Sequence, residues 1–147
     1  MPAASSPATG YSGTPLPRKL GLKDGQRVLF IDLPKELGAL RNACQFAEAK
    51  QATWKNWKDG DPGYDVVHAF TTSRAVLAAN AMPLMDEIDR DGAIWISWPK
   101  KASKVPTDIT EDVIREVVLP VGLVDVKVAA VNEVWSGLKL VIRKELR

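Results

Sequence analysis

Apolar residues come in short dense blocks along this chain, separated by polar stretches in which Gly, Pro, Asp and Lys concentrate. The first block, Val28-Leu29-Phe30-Ile31, is apolar at odd and even positions alike, the pattern of a strand covered on both faces. Residues 65–70 and 93–98 repeat it. Between those two blocks Ser73 stands where a helix N-cap belongs, and Leu77, Ala81, Leu84, Met85 and Ile88 follow at helical spacing. Pro83 is expected to bend or interrupt this helix, and Arg90-Asp91-Gly92 to stop it. Asp108 and Glu111 have the spacing of a capping box ahead of an apolar face of Val113, Ile114, Val117, Val118 and Val121, which Pro120 and Gly122 end. Residues 124–131 and 138–143 read as strands joined into a hairpin by the link 133–137. Residues 35–41 give a weak helical signal, residues 41–56 predict no element, and Asp59-Gly60-Asp61-Pro62-Gly63 reads as a loop.

Strands alternating with helices and closing on a hairpin predict a single α/β domain. It is expected to be three-layered and Rossmann-like, with a mostly parallel sheet ending in an antiparallel hairpin. Residues 1–17 carry Pro2, Pro7, Pro15 and Pro17 among Ala, Ser and Gly and read as a flexible arm, leaving residues 18–147 as the folded domain. With 147 residues and 46% hydrophobic content, the chain builds one core without disulfides or a structural metal. Cys44 is its only cysteine and His68 its only histidine, so an internal disulfide and a Cys/His zinc cluster are both excluded.

The longest apolar runs fall well short of the roughly 20 residues that span a bilayer. Residues 1–10 lack the charged start and apolar stretch of a signal peptide. No membrane partner is expected, and the cytoplasm is the expected location. Net charge is +2, but it is unevenly spread: residues 1–60 balance at +4, residues 61–97 at −4 and residues 98–147 at +2. None of these blocks is the dense basic stripe of a dedicated nucleic-acid binder.

The approach Leu20-Gly21-Leu22-Lys23, Gly25 and Arg27-Val28-Leu29, together with the terminal hairpin, resembles S-adenosylmethionine-dependent methyltransferases. That resemblance implies a glycine-rich turn of the G-x-G-x-G kind after the first strand, where missing side chains let the cofactor approach the backbone. Here those positions fall on Asp32, Pro34 and Glu36. Proline lacks a donor, and two carboxylates would repel the carboxylate of the cofactor's methionine part, so the scaffold reads as a degenerate one with no cofactor expected. The segments Gly10-Tyr11-Ser12-Gly13-Thr14-Pro15-Leu16, Gly92-Ala93-Ile94-Trp95, Pro99-Lys100-Lys101 and Trp135-Ser136-Gly137-Leu138-Lys139 are similar to a bacterial domain-of-unknown-function family of small, uncharacterised α/β proteins. That likeness implies a fold and no activity.

In an open parallel sheet, ligands sit beyond the carboxyl ends of the strands. These ends contribute Asp32 after the first strand, Thr71, Thr72, Ser73 and Arg74 after the second, and Trp98, Pro99, Lys100 and Lys101 after the third. Thr72, Ser73, Arg74, Trp98, Lys100 and Lys101 form a candidate site for a small anion, drawn by a helix N-terminus and cationic side chains. The competing reading makes Ser73 only a helix cap and Lys100, Lys101 and Lys104 a solvated loop.

No catalytic group is assigned. His68 lies inside a buried-looking strand, Cys44 has no evident activator, and the adjacent pairs Asp86-Glu87 and Glu111-Asp112 diverge on their helices. No G-x-x-x-x-G-K-[ST] loop is present. Trp95 is expected in the core, Trp98 near the crevice, Trp135 in a tight link, and Trp54 and Trp57 among Lys50, Lys55 and Lys58, where packing or partner contact outweighs base stacking. The expectation is a non-catalytic or regulatory module that binds a protein partner or a small anion. The alternative is a methyltransferase with an atypical cofactor pocket.

Overall fold

The computed structural model describes residues 14–147. Most of the expected arm lies outside these residues, but its last part is folded. Leu16–Lys19 forms α1, with Pro17 in the first turn, where its missing N–H leaves no bond unmade. The strands are β1 (Arg27–Ile31), β2 (Glu48–Ala52), β3 (Tyr64–Phe70), β4 (Ile88–Pro99), β5 (Leu123–Ala130) and β6 (Trp135–Ile142). Two longer helices, α2 (Arg74–Glu87) and α3 (Glu111–Val118), join β3 to β4 and precede β5.

The strands form one six-stranded sheet in the order β2-β1-β3-β4-β6-β5. β1 lies parallel between β2 and β3, and β3 parallel to β4. β6 runs antiparallel to both β4 and β5. Alternate residues of the buried strands feed two cores. Leu29 and Ile31 join Leu77, Leu84, Ile114 and Val118 beneath α2 and α3. Val28 and Phe30 face Leu20, Leu22, Leu37 and Leu40 on the other side, where Trp95 and Phe70 also pack. The result is the expected three-layer α/β domain with a mostly parallel sheet and a closing antiparallel hairpin.

Several local expectations are corrected. Residues 35–42 form a 3-10 helix, entered from Pro34 without a side-chain cap. β2 (Glu-Ala-Lys-Gln-Ala) occupies a stretch that predicts nothing, because its partly covered face carries Glu48 and Lys50 ahead of buried Ala52, which erases the apolar alternation of a strand. α2 runs through Pro83 to Glu87, and the chain enters β4 at once, at Ile88. Residues 89–92 are a bulge in β4, since Tyr64 pairs with Ile88 and Val66 with Ala93. A Cβ on Gly92 would lie 3.0 Å from the carbonyl oxygens of Tyr64, Asp65 and Asp89, which explains glycine there. The cap of α3 is Thr110, whose side chain accepts the Val113 N–H, and not Asp108.

β5 carries a second bulge. Asp125 pairs with Leu140 and Lys127 with the next residue, Lys139, leaving Val126 extra. Asp125 therefore faces α3, where Arg115 Nε donates to its Oδ2 at 2.9 Å. Lys127 faces the opposite layer and donates to the Lys19 carbonyl of α1 at 3.1 Å.

Candidate functional site

β1 and β2 end side by side because the Asp32 N–H donates to the Ala52 carbonyl, 2.9 Å away. Asp32 has φ +54°, the left-handed region that glycine enters freely and aspartate tolerates. The first of the three turn positions thus keeps a glycine-like backbone with a carboxylate attached. At the second, Pro34 contributes no N–H; at the third, Glu36 is exposed on the 3-10 helix.

Beside this turn opens a cleft of about 480 Å³ lined by Asp32, Leu33, Gln51, Ala52, Thr53 and Asn56. Its size falls within the range of small-molecule sites, about 300–1,000 Å³. Asn56 is fixed by accepting the Thr53 N–H through Oδ1 at 2.8 Å. The Thr53 hydroxyl accepts the Lys55 N–H at 3.2 Å. Trp54 is pinned the other way, its Nε1 donating to the Phe70 carbonyl at the end of β3 at 2.8 Å. Asp32 is exposed at the rim, yet desolvation raises its pKa above the ordinary carboxylate value, against a lowering hydrogen bond from the Trp54 backbone.

The donor set fits one part of an adenosyl cofactor better than another. A carboxylate, a hydroxyl and a carboxamide around apolar Leu33 and Ala52 suit hydroxyl-bearing and cationic groups. Pro34 and Glu36 offer nothing to the carboxylate of a methionine part.

The candidate anion residues lie along the neighbouring strand ends. Ser73 caps α2 by accepting the Val76 N–H at 3.2 Å. The exposed Arg74 gives its backbone N–H to Asp108 Oδ1 at 2.7 Å. The Thr72 carbonyl accepts the Thr107 hydroxyl at 2.7 Å. Lys100 is half-buried with its N–H on the Val134 carbonyl at 2.7 Å, and Lys101 is exposed in the next turn. Thr72 and Arg74 are thus bound up with the loop before α3, whose Asp108 carboxylate accepts the first N–H of α2.

Trp98 is buried beneath α2 and α3 rather than set in a crevice. Trp57 is buried too, with Nε1 donating to Asn80 Oδ1 at 3.0 Å. Trp95 donates to the Leu20 carbonyl at 3.0 Å, and half-buried Trp135 packs edge-on against Phe70. His68 is fully buried, 2.7 Å from the Ser97 hydroxyl and stacked on Phe70, and burial lowers its pKa to about 3. Among the described residues no cluster of ligating side chains suits a metal ion, and no helix is long and apolar enough to cross a membrane.

The cleft residues Gln51, Thr53 and Asn56 carry no motif, and they stand out only once β2 is placed beside β1. No family model and no curated protein matches the chain, so the resemblance to the domain-of-unknown-function family gains no support. Solved structures do match. A SAM-dependent methyltransferase from Aquifex aeolicus superposes with TM-score 0.64 at 15% identity, over 85% of this chain and 86% of that one. A TehB-like SAM-dependent methyltransferase from Corynebacterium glutamicum gives 0.56 at 12% identity, over 92% and 91%. Magnesium protoporphyrin IX methyltransferase from Synechocystis, with bound SAM, gives 0.54 at 13%, over 82% and 71%. At such identities the likeness is one of fold, and the fold is the methyltransferase-like Rossmann fold.

Proposed function

We propose that the chain is a SAM-dependent methyltransferase with an atypical cofactor pocket, formed by Asp32, Gln51, Thr53 and Asn56. The observation that carries this reading is the cleft at the joined carboxyl ends of β1 and β2, beside the left-handed Asp32. It lies at the end of the sheet where open α/β folds hold their ligands. Asp32 accepts hydrogen bonds from hydroxyl donors and attracts the positive charge of a sulfonium compound. Asn56, held by Thr53, presents its amide group, and Leu33 and Ala52 supply the apolar wall. The bound cofactor supplies an electrophilic methyl group. The turn at Pro34 and Glu36 gives no grip on the methionine carboxylate, so binding rests on the β2 side of the cleft.

A second reading, a non-catalytic or regulatory binding module for a protein partner or small anion, is favoured by one observation. Pro34 and Glu36 replace two positions at which the backbone would otherwise be open to a ligand.

Calorimetric titration with S-adenosylmethionine and S-adenosylhomocysteine separates the two. The methyltransferase reading expects saturable micromolar binding of both, weakened at least about tenfold, or 1.4 kcal/mol, by Asp32→Ala. No heat of binding up to about 1 mM ligand, with the variant folded, overturns it in favour of the module.

A further inference from the structure

At the far edge of the sheet, on the α1 side, lies a cleft of about 440 Å³ lined by Thr14, Arg18, Lys19, Lys127, Val128, Ala129 and Ala130. Its charge is all of one sign. Lys127 stands directly across from Lys139 in the β5–β6 ladder, an arrangement in which like charges destabilise a sheet. Both project to the same face, because residues paired in register share one. Ion-paired carboxylates among the described residues are engaged by Arg27 or Arg115, and no Asp or Glu lines this cleft. Residues 1–13, which precede it, contain no Asp or Glu either. The cleft thus gathers Arg18, Lys19 and Lys127 beside the apolar residues Val128, Ala129 and Ala130.

We propose that this cleft binds the phosphate group of a small organic phosphate, with Arg18 and Lys127 around the anion and the organic part along the apolar residues of its rim. Arginine gives a planar fork to phosphate oxygens and the lysine adds a point charge. The site is separate from the cleft between β1 and β2, and it stands whether or not that cleft holds a cofactor.

The test is thermal melting and calorimetry with phenyl phosphate, inorganic phosphate and sodium chloride at matched ionic strength. Phenyl phosphate at ten times its dissociation constant should raise the melting temperature by about 3–5 °C, and more than inorganic phosphate does at the same concentration. Lys139→Gln alone should raise the melting point without ligand, by removing the cross-strand repulsion. Arg18→Gln with Lys127→Gln should weaken phosphate binding at least about tenfold. Equal shifts with chloride would reveal general screening only. That result, or unchanged phosphate affinity in the folded double variant, overturns the proposal.

Discussion

The Asp108 carboxylate holds the first residue of α2 from outside the helix, its Oδ1 2.7 Å from the Arg74 backbone nitrogen. A helix start presents unpaired N–H groups and partial positive charge, worth about 0.3–1 kcal/mol to a nearby anion. Here that anion comes from the chain itself, 34 residues further on. Removing it with Asp108→Ala should destabilise the protein by about 1 kcal/mol and free the helix end. Sulfate should then stabilise the variant more than the natural protein. Equal sulfate effects on the two would show that the helix end is closed by other means.

His68 takes up no second ring proton in the folded state near neutrality, because burial lowers its pKa to about 3 from an ordinary 6.5. The unfolded chain takes up that proton as pH falls below 6.5, and the folded chain does not, so acid favours unfolding. Stability from this group is complete above pH 6.5 and falls by up to about 1.4 kcal/mol per pH unit below it. Urea unfolding at pH 6 and pH 5 should show this slope in the natural protein and its loss in His68→Gln. A slope shared by both would place its origin in other groups.

Gly92 sits in the bulge that opens β4, where a Cβ would meet three backbone carbonyl oxygens at 3.0 Å. Carbonyls in a ladder cannot swing aside as a side chain can. Gly92→Ala should cost about 1–3 kcal/mol through forced backbone shifts. Denaturant titration measures it, and a loss below about 0.5 kcal/mol would mean that the bulge is pliable.

Asp32 combines a left-handed backbone with a carboxyl whose pKa is raised by desolvation. A group raised in this way keeps its proton longer in the folded state and disfavours folding once ionised. Asp32→Asn keeps a side chain that tolerates the left-handed region and removes the charge. It should be more stable than the natural protein at pH 7, with the gap closing as pH falls through the Asp32 pKa. A gap that widens toward acid would show that the carboxylate is held by favourable contacts.

Elements with dense apolar blocks were legible in the sequence. Val28 to Ile31, residues 65–70 and residues 93–98 are strands because burial on both faces demands apolar side chains at every position. β2 was illegible for the converse reason: Glu48, Lys50 and Gln51 sit on an edge and answer to solvent as much as to the core. Half of the candidate cleft vanished with it, since Gln51, Thr53 and Asn56 carry meaning only next to Asp32. Asp108 and Glu111 satisfied a local spacing rule, yet Asp108 bonds across space to Arg74, a partner that local spacing does not reveal. Pro83 broke no helix, because tertiary packing of Leu77, Ala81 and Leu84 holds α2 together on both sides of it.

The extra residue in β5 interrupts the outer edge that this strand presents. A straight outer strand offers a regular row of donors and acceptors to any extended chain in solution. In β5 that row is broken at Val126, and Asp125 and Lys127, two residues apart, are drawn to opposite layers of the domain. An incoming strand would lose its register midway and find a cation beside the break. Excising Val126 would smooth the row and turn either Asp125 or Lys127 to the wrong layer, so the smoother edge would come with a weaker fold. The kink thus disfavours the pairing of a further strand along β5.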